Sequence, residues 1–486
     1  MNFKVRSLVA ATLAGSMLMG FGVNAMADST TDIVNALVSK GVLTEEEGAL
    51  LTKGRTDEAA GQAKALKKAS KLSVSDAIDN AKIYGDIRAR YEARSIDRLD
   101  AAVGIPAGTN YDSNRSRYKI GFGVETKAGD WYTDLAFALS ASGRSDNITY
   151  GDSNLGGSDI GMSPKDKQAL YVKRAMLGWN VTPWLAVEAG RMKNPLYMVN
   201  AMVFDNDIVM EGAQEKLKYT IGDTNLFANL GQWVYTGGGI QANDAQGTTG
   251  RQNMVLAFQG GAQQVFVADK MSGKFAVGYY DYTGNNRGET GATPFKPFLG
   301  NAVAPTANVA PFTAVNDLQI LDIPAELNYM ATSNVGVRAY GEYVVNTKGS
   351  DRYNHACSKY GVAYCVGNDD KAWLVGLTVG SAKDLKSFEA KKMAKGDWNA
   401  NIWYQSVGIY ALDQNAVDTD IFDGRLNMEG FAVKAQYNLE ENVAFNFTGA
   451  WGDRKNDAYG SSYTKPDITV NGTNYKLYQF DVTYKF

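Results

Sequence analysis

The sequence predicts an all-β chain: a transmembrane, antiparallel up-and-down β-barrel of about 16 strands with a short N-terminal α-helical segment. Three observations predict it. From Lys82 onward apolar residues alternate with polar ones at period 2. Long and short connections between these stretches alternate almost strictly. Glycine and aromatic residues are abundant, with 51 Gly, 27 Tyr and 19 Phe against 10 Pro, which suits strands that bend and rings at a water–lipid boundary.

The N-terminus reads as an export signal. Lys4 and Arg6 precede an apolar run from Leu8 to about Val23, and Ala25-Met26-Ala27 is a small-x-small cleavage site. The run is short and broken by glycine, so a membrane anchor is the weaker reading. Residues 1–27 are therefore set aside as a signal peptide. Removing its two basic residues takes the formal charge from −3 to −5, so no nucleic-acid partner is indicated. No later run is apolar enough for a transmembrane helix.

Residues 28–81 read as a helical periplasmic segment and linker. Ile33, Val34, Leu37 and Val38 form a stripe at helical spacing, Gly41 is a stop, and Thr44 with Glu47 is a capping box. The segment suits a periplasmic or cell-wall partner, or equally a spacer or oligomerisation helix. The barrel domain is 82–486.

In the first barrel stretch Ile83, Gly85, Ile87, Ala89, Tyr91 and Ala93 form one face, opposite Tyr84, Asp86, Arg88, Arg90, Glu92 and Arg94. The second face is too charged for a soluble core. Further strands are expected at 115–126, 130–142, 168–180, 183–191, 212–221, 223–235, 253–269, 273–284, 317–330, 334–346, 370–380, 396–410, 428–440, 441–452 and 474–486. Long connections fall at 96–114, 143–167, 192–211, 236–252, 285–316, 347–369, 411–427 and 453–473. A meander sorts long loops to one end and short turns to the other, as outer-membrane barrels do. One of the shorter connections, Ser381–Lys395, is lysine-rich and suits a helix. A soluble β-sandwich has no reason to sort its loops, and only a closed barrel crosses lipid with every backbone group paired. The last strand, ending on Tyr484 and Phe486, then closes on the first.

A barrel of this size encloses water. The third long loop, 190–212, carries Leu196, Tyr197, Met198, Val199, Met202, Val203 and Phe204, too apolar for free solution. Folded inward, it would present Arg191, Lys193, Asp205, Asp207 and Glu211 as a pore constriction. Packed outward, it would meet neighbouring loops or another subunit. Arg88, Arg90, Arg94, Arg115, Arg117 and Lys119 form a lumen basic ladder. It biases a pore toward anions unless the interleaved Asp86, Glu92 and Glu125 cancel it. Cys357 and Cys365 share one polar connection and suit a disulfide in an exported chain, with two free thiols the alternative. They and the lone His355 supply too few ligands for a metal, and no cofactor is implied. His355 is remote from any strand face, so a Ser–His hydrolase in the wall is excluded.

The order "KGVLTEEEG", "YGDIRARYEAR" and "GRMKNPLYMVNAMVFDNDIVMEG" resembles the putative-porin family of proteobacterial outer membranes. Gly190, Arg191, Asn194, Pro195, Asp205, Asp207, Glu211 and Gly212 carry the match. The resemblance implies a passive diffusion channel in the outer membrane of a Gram-negative bacterium, a homotrimer among lipid and lipopolysaccharide. It also implies that Tyr484 and Phe486 form a C-terminal signal read by the outer-membrane assembly machinery. The rival readings are a structural barrel that tethers the membrane through 28–81 and a sheath for a partner protein.

Overall fold

In the computed structural model the described residues are 78–98, 108, 110–140, 145–150, 168–236, 253–283, 318–360, 367–381, 384–386, 388, 393–413, 416–418, 420–422, 426–456 and 472–486. The signal peptide 1–27 and all but the last residues of 28–81 lie outside them.

Barrel strands follow one another along the chain: β1 (Asn80–Arg98), β2 (Tyr111–Ala128), β3 (Trp131–Ser140), a two-residue β4 (Ile148–Thr149), β5 (Ala169–Thr182), β6 (Leu185–Lys193), β7 (Val209–Ile221), β8 (Thr224–Thr236), β9 (Asn253–Val267), β10 (Met271–Tyr282), β11 (Gln319–Met330) and β12 (Gly336–Asn346). A helix, α1 (Gly349–Tyr360), precedes β13 (Lys371–Gly380), β14 (Trp398–Val407), β15 (Met428–Glu440), β16 (Val443–Arg454) and β17 (Gly472–Lys485). Each strand pairs antiparallel with its neighbours in sequence, except that β3 pairs with β5 while β4 lies against β2. Apart from β4 this makes a closed barrel of 16 strands. Every expected strand is present, with ends shifted by a few residues.

Closure joins β1 to β17, with Arg90 opposite Asp481 and Tyr91 opposite Phe480. The amide and carbonyl of Gly85 exchange hydrogen bonds with those of Phe486 at 3.1 and 3.0 Å. The last residue is thus held in the ladder.

The alternation is inside out relative to a soluble protein. On β1, Ile83 and Ile87 are 53% and 48% exposed while Arg90 and Glu92 are 6% and 2% exposed. On β10, Phe275 and Val277 face outward while Ala276 and Tyr280 are buried. Such a belt is stable only against lipid. Trp131 and Trp179, paired across β3 and β5, stack at 5.3 Å beside the short turns, where an aromatic girdle belongs.

The apolar core lies within the cylinder. Tyr280, Ile320, Val344, Leu374, Trp403 and Met428 point inward from β10 to β15 and pack against two connections, 194–208 and 408–422.

Candidate functional site

The connection between β6 and β7 is anchored by hydrogen bonds and apolar burial. Asn194 Oδ1 accepts the Leu196 amide at 3.0 Å, a local Asx turn. Tyr197 N donates to Gln259 Oε1 at 2.7 Å, and Gln259 Nε2 returns a bond to Tyr197 O at 2.9 Å. Arg338 donates to Val199 O at 3.0 Å and to Glu326 at 2.8 Å. Phe204 meets Tyr280 edge-on at 5.3 Å, and Leu196, Val199, Met202 and Val203 are buried. Each such side chain gains about 1.5–3 kcal/mol from burial.

Two glycines set the approach to this connection. Gly190 and Gly212 sit opposite each other on β6 and β7 with φ of 116° and 145°. A Cβ there would lie 2.3 Å from Ala175 O and 2.2 Å from Gln232 O, so only glycine fits.

The connection after β14 packs inward too. Ile409, Tyr410, Ala411, Leu412, Ala416, Val417, Ile421 and Phe422 are all buried. Asn346 Nδ2 donates to Tyr410 O at 2.8 Å, and Arg352 on α1 donates to Leu412 O at 2.8 Å. The two connections meet where Asp205 N donates to Ala416 O at 2.7 Å. From the short-turn end Lys386, in the lysine-rich connection, donates to Met198 O and lies 4.8 Å over the Tyr197 ring. The described residues of that connection form turns rather than the expected helix; the rest lie outside the described residues.

The opposite wall carries the charges. Arg90 grips Asp481 through Nε and Nη2 at 2.7 and 2.9 Å and reaches Asp420 at 3.0 Å. Glu92 receives Arg94 at 2.9 Å and Arg115 at 2.6 Å, with Arg117 at 3.7 Å. Arg88 lies 3.7 Å from Asp481 and donates to Asn147. Lys119 stands 3.6 Å from Asp146 and 3.8 Å from Asp207; Lys173 lies 3.2 Å from Asp207 and also bonds Asp146. The ladder is thus laced with carboxylates, Asp86, Glu92 and Asp481 from strands and Asp146, Asp207 and Asp420 from loops. Lys119 and then Lys173 hold the Asp207 carboxyl at about 2, against an opposing push from burial. Burial pushes Asp420 up, but Arg90 and Arg88 outweigh it and hold the group well below the usual carboxylate range. Burial, reinforced by Asp205 and Asp420, drives neighbouring Asp418 well above that range.

The five expected constriction residues separate. Asp207 joins the charged wall. Asp205 turns back on its own loop, its carboxylate accepting the Asp207 amide at 2.9 Å. Lys193 faces a cavity of about 410 Å³ toward the short-turn end, 3.3 Å from Asp134 and 3.5 Å from Glu125. Arg191 and Glu211 pair with each other on the outer face, because Met192 and Met210 beside them take the inward positions. This corrects the expectation that they line the lumen. Lys173 was not foreseen: a β-bulge opposite Ala136 and Phe137 turns both Lys173 and Arg174 inward. Cys357 is disulfide-bonded; Cys365 lies outside the described residues.

A closed barrel with a lipid-facing apolar exterior and a charged interior defines an outer-membrane channel. The chain belongs to the family described as putative porin, whose model matches residues 79–312 and 301–454. Similar solved structures include the outer membrane channel DcaP of Acinetobacter baumannii, at 13% identity over 85% of this chain and 99% of that one, TM-score 0.38. OmpT of Vibrio cholerae, in its trimer form, matches at 12% identity over 84% and 99%, TM-score 0.39. OprB of Pseudomonas putida matches at 9% identity over 83% and 94%, TM-score 0.43. No curated protein matches the chain. Family and fold point to a channel rather than an enzyme.

Proposed function

We propose that this porin passes small hydrophilic solutes and ions by passive diffusion, through a constriction formed where the inward-folded third long loop, 190–212, and the 408–422 connection face the basic ladder. The observation that carries this reading is the charged cluster itself. Asp207 and Asp420, on two loops, stand within 4 Å of Lys119, Lys173 and Arg90 on the wall. Opposed charges across a narrow passage set up a transverse field that ranks solutes by charge and size. The apolar core beside it narrows the open path to one side of the lumen.

The export signal at 1–27, the assembly signal at Tyr484 and Phe486, the disulfide between Cys357 and Cys365, and assembly as a homotrimer complete the proposal. Planar-bilayer recording of the purified protein tests it. Steady ohmic steps are expected, with a defined reversal potential in a salt gradient. Folded protein without conductance would overturn the channel reading and favour a tether acting through 28–81.

A further inference from the structure

The cavity toward the short-turn end is roomy and basic. Its volume of about 410 Å³ lies within the roughly 300–1,000 Å³ of small-molecule sites and far exceeds the roughly 30 Å³ that one water occupies. Four lysines line it, Lys82, Lys127, Lys193 and Lys216, against three carboxylates, Glu125, Asp134 and Glu188. Two of the carboxylates are taken by fixed donors in the wall. Asp134 is 3% exposed and accepts the Tyr84 hydroxyl and Arg174 Nε, the latter at 2.7 Å. Glu188 is 5% exposed and accepts the Tyr132 hydroxyl at 2.8 Å, Gln214 Nε2 at 2.5 Å and the Lys216 ammonium. Only Glu125 remains for the other lysines, 3.5 Å from Lys82 Nζ and 3.5 Å from Lys193 Nζ. Lys193 also stands 3.3 Å from Asp134, whose charge Arg174 already balances. Lys127 faces Asn80 across the strand pair rather than a carboxylate.

This surplus of positive charge is open to the lumen, because the Lys82 and Lys193 side chains are each 60% exposed. A carboxylate or phosphate answers it, since the oxygens of either accept several ammonium hydrogens at once. A halide ion would leave most of the space to water. Asn80, Thr133, the Tyr132 ring and Asn194 from the third long loop supply polar and flat surface for the rest of an organic molecule.

We propose that this cavity is a binding site for a small organic oxyanion, a carboxylate or a phosphate carried on a polar body, held by Lys82, Lys127 and Lys193. The inference rests on the proposed function and deepens it by naming a class of solute that the channel retains on its way through.

Two measurements on the full chain test it. In the first, gluconate, glucose 6-phosphate or glucose is added during single-channel recording at about 0.1 M potassium chloride. The three probes offer a similar polar body with a carboxylate, with a phosphate, or with neither. Each anion should interrupt the current at a concentration roughly tenfold below that of glucose. Lys82→Gln with Lys193→Gln should raise the half-blocking concentration of the anions roughly tenfold, and Glu125→Gln should lower it about threefold. Lys371→Gln, exposed at the long-loop end of β13, should leave it unchanged. Folding of each variant is checked by heat-modifiable gel mobility. In the second, titration calorimetry of the detergent-solubilised protein reads the same binding without conduction. Block by one anion alone would support the site and assign it to carboxylates or to phosphates. Glucose as effective as both anions, anion block unmoved in the folded double variant, or no heat of anion binding to folded wild type would overturn the proposal. A conducting channel that binds no anion fails here alone, whereas anion binding by a protein that does not conduct fails the channel reading alone.

Discussion

Asp207→Asn removes one carboxylate from the wall of the proposed passage and leaves its shape intact. The Asp207 side chain is 49% exposed and sits 3.2 Å from Lys173 Nζ and 3.8 Å from Lys119 Nζ. Its loss gives both ammonium groups back to the lumen. An ion passing at about 7 Å feels the missing charge by roughly 0.6 kcal/mol in water, close to one RT. Screening at 0.1 M salt halves this to about 0.3 kcal/mol. Cations lose and anions gain by that amount, so the permeability ratio shifts about threefold toward anions. In a tenfold potassium chloride gradient the reversal potential should move by roughly 20 mV. Near 1 M salt, where the Debye length is about 3 Å, the shift should fall to a few millivolts. The carboxyl is held at about 2, so the difference in selectivity between wild type and variant should persist from pH 7 down to about 3 and close only as pH falls through 2. The same sign governs stability. The folded value lies below the unfolded one of about 3.9, so the contribution is full above about pH 4 and is lost through about 2. An unchanged reversal potential at low salt would remove Asp207 from the conducting path.

Three further outcomes are expected. Gly212→Ala forces a Cβ to 2.2 Å from Gln232 O at a φ of 145°, and should sharply reduce the folded, heat-modifiable fraction on refolding, whereas Gly260→Ala on β9, where a Cβ meets nothing within 4 Å, should not. Ile421→Asp puts a charge into the buried contact between the second inward connection and the wall; by releasing that connection it should raise single-channel conductance, and conductance equal to wild type would refute the packing argument. Burial, helped by Arg338 and Lys274, lowers Lys386 to about 8, so its positive charge should disappear between pH 7 and 9. Because this folded value lies below the unfolded one of about 10.4, the cost of charging Lys386 in the fold is full below about pH 8, falls as pH rises from about 8, and is gone above about 10.4. Reversal potentials should drift toward cation preference over that window, and Lys386→Met should abolish the drift.

The wall was legible because its physics repeats at every second residue. The lipid requirement fixes which face of β1 bears Ile83 and Ile87 and which bears Arg88 and Arg90, and the length of each connection fixes its end of the cylinder. The third long loop was legible in its apolar content. The connection after β14 carries Ala411, Leu412, Ala416, Val417, Ile421 and Phe422, but Asp413, Asp418, Asp420 and Asp423 interrupt them and mask its apolar content in the sequence. The placement of Lys173 and Arg191 was not accessible in that way. A bulge shifts parity by one residue, and nothing in the local sequence of β5 marks where it falls. Arg191 and Glu211 look like lumen residues because charge normally means water, and only the inward burial of Met192 and Met210 reveals the reverse.

The bond from Asp205 to Ala416 ties together loops that spring from well-separated hairpins. That knot packs a small apolar cluster against inward residues of β10 to β15, so strand number alone is a poor guide to aperture. In the proposed channel, transport preference then depends on two short peptides as much as on the wall they face. Substitutions confined to them could recalibrate cargo choice while the lipid-embedded shell continues to assemble unchanged.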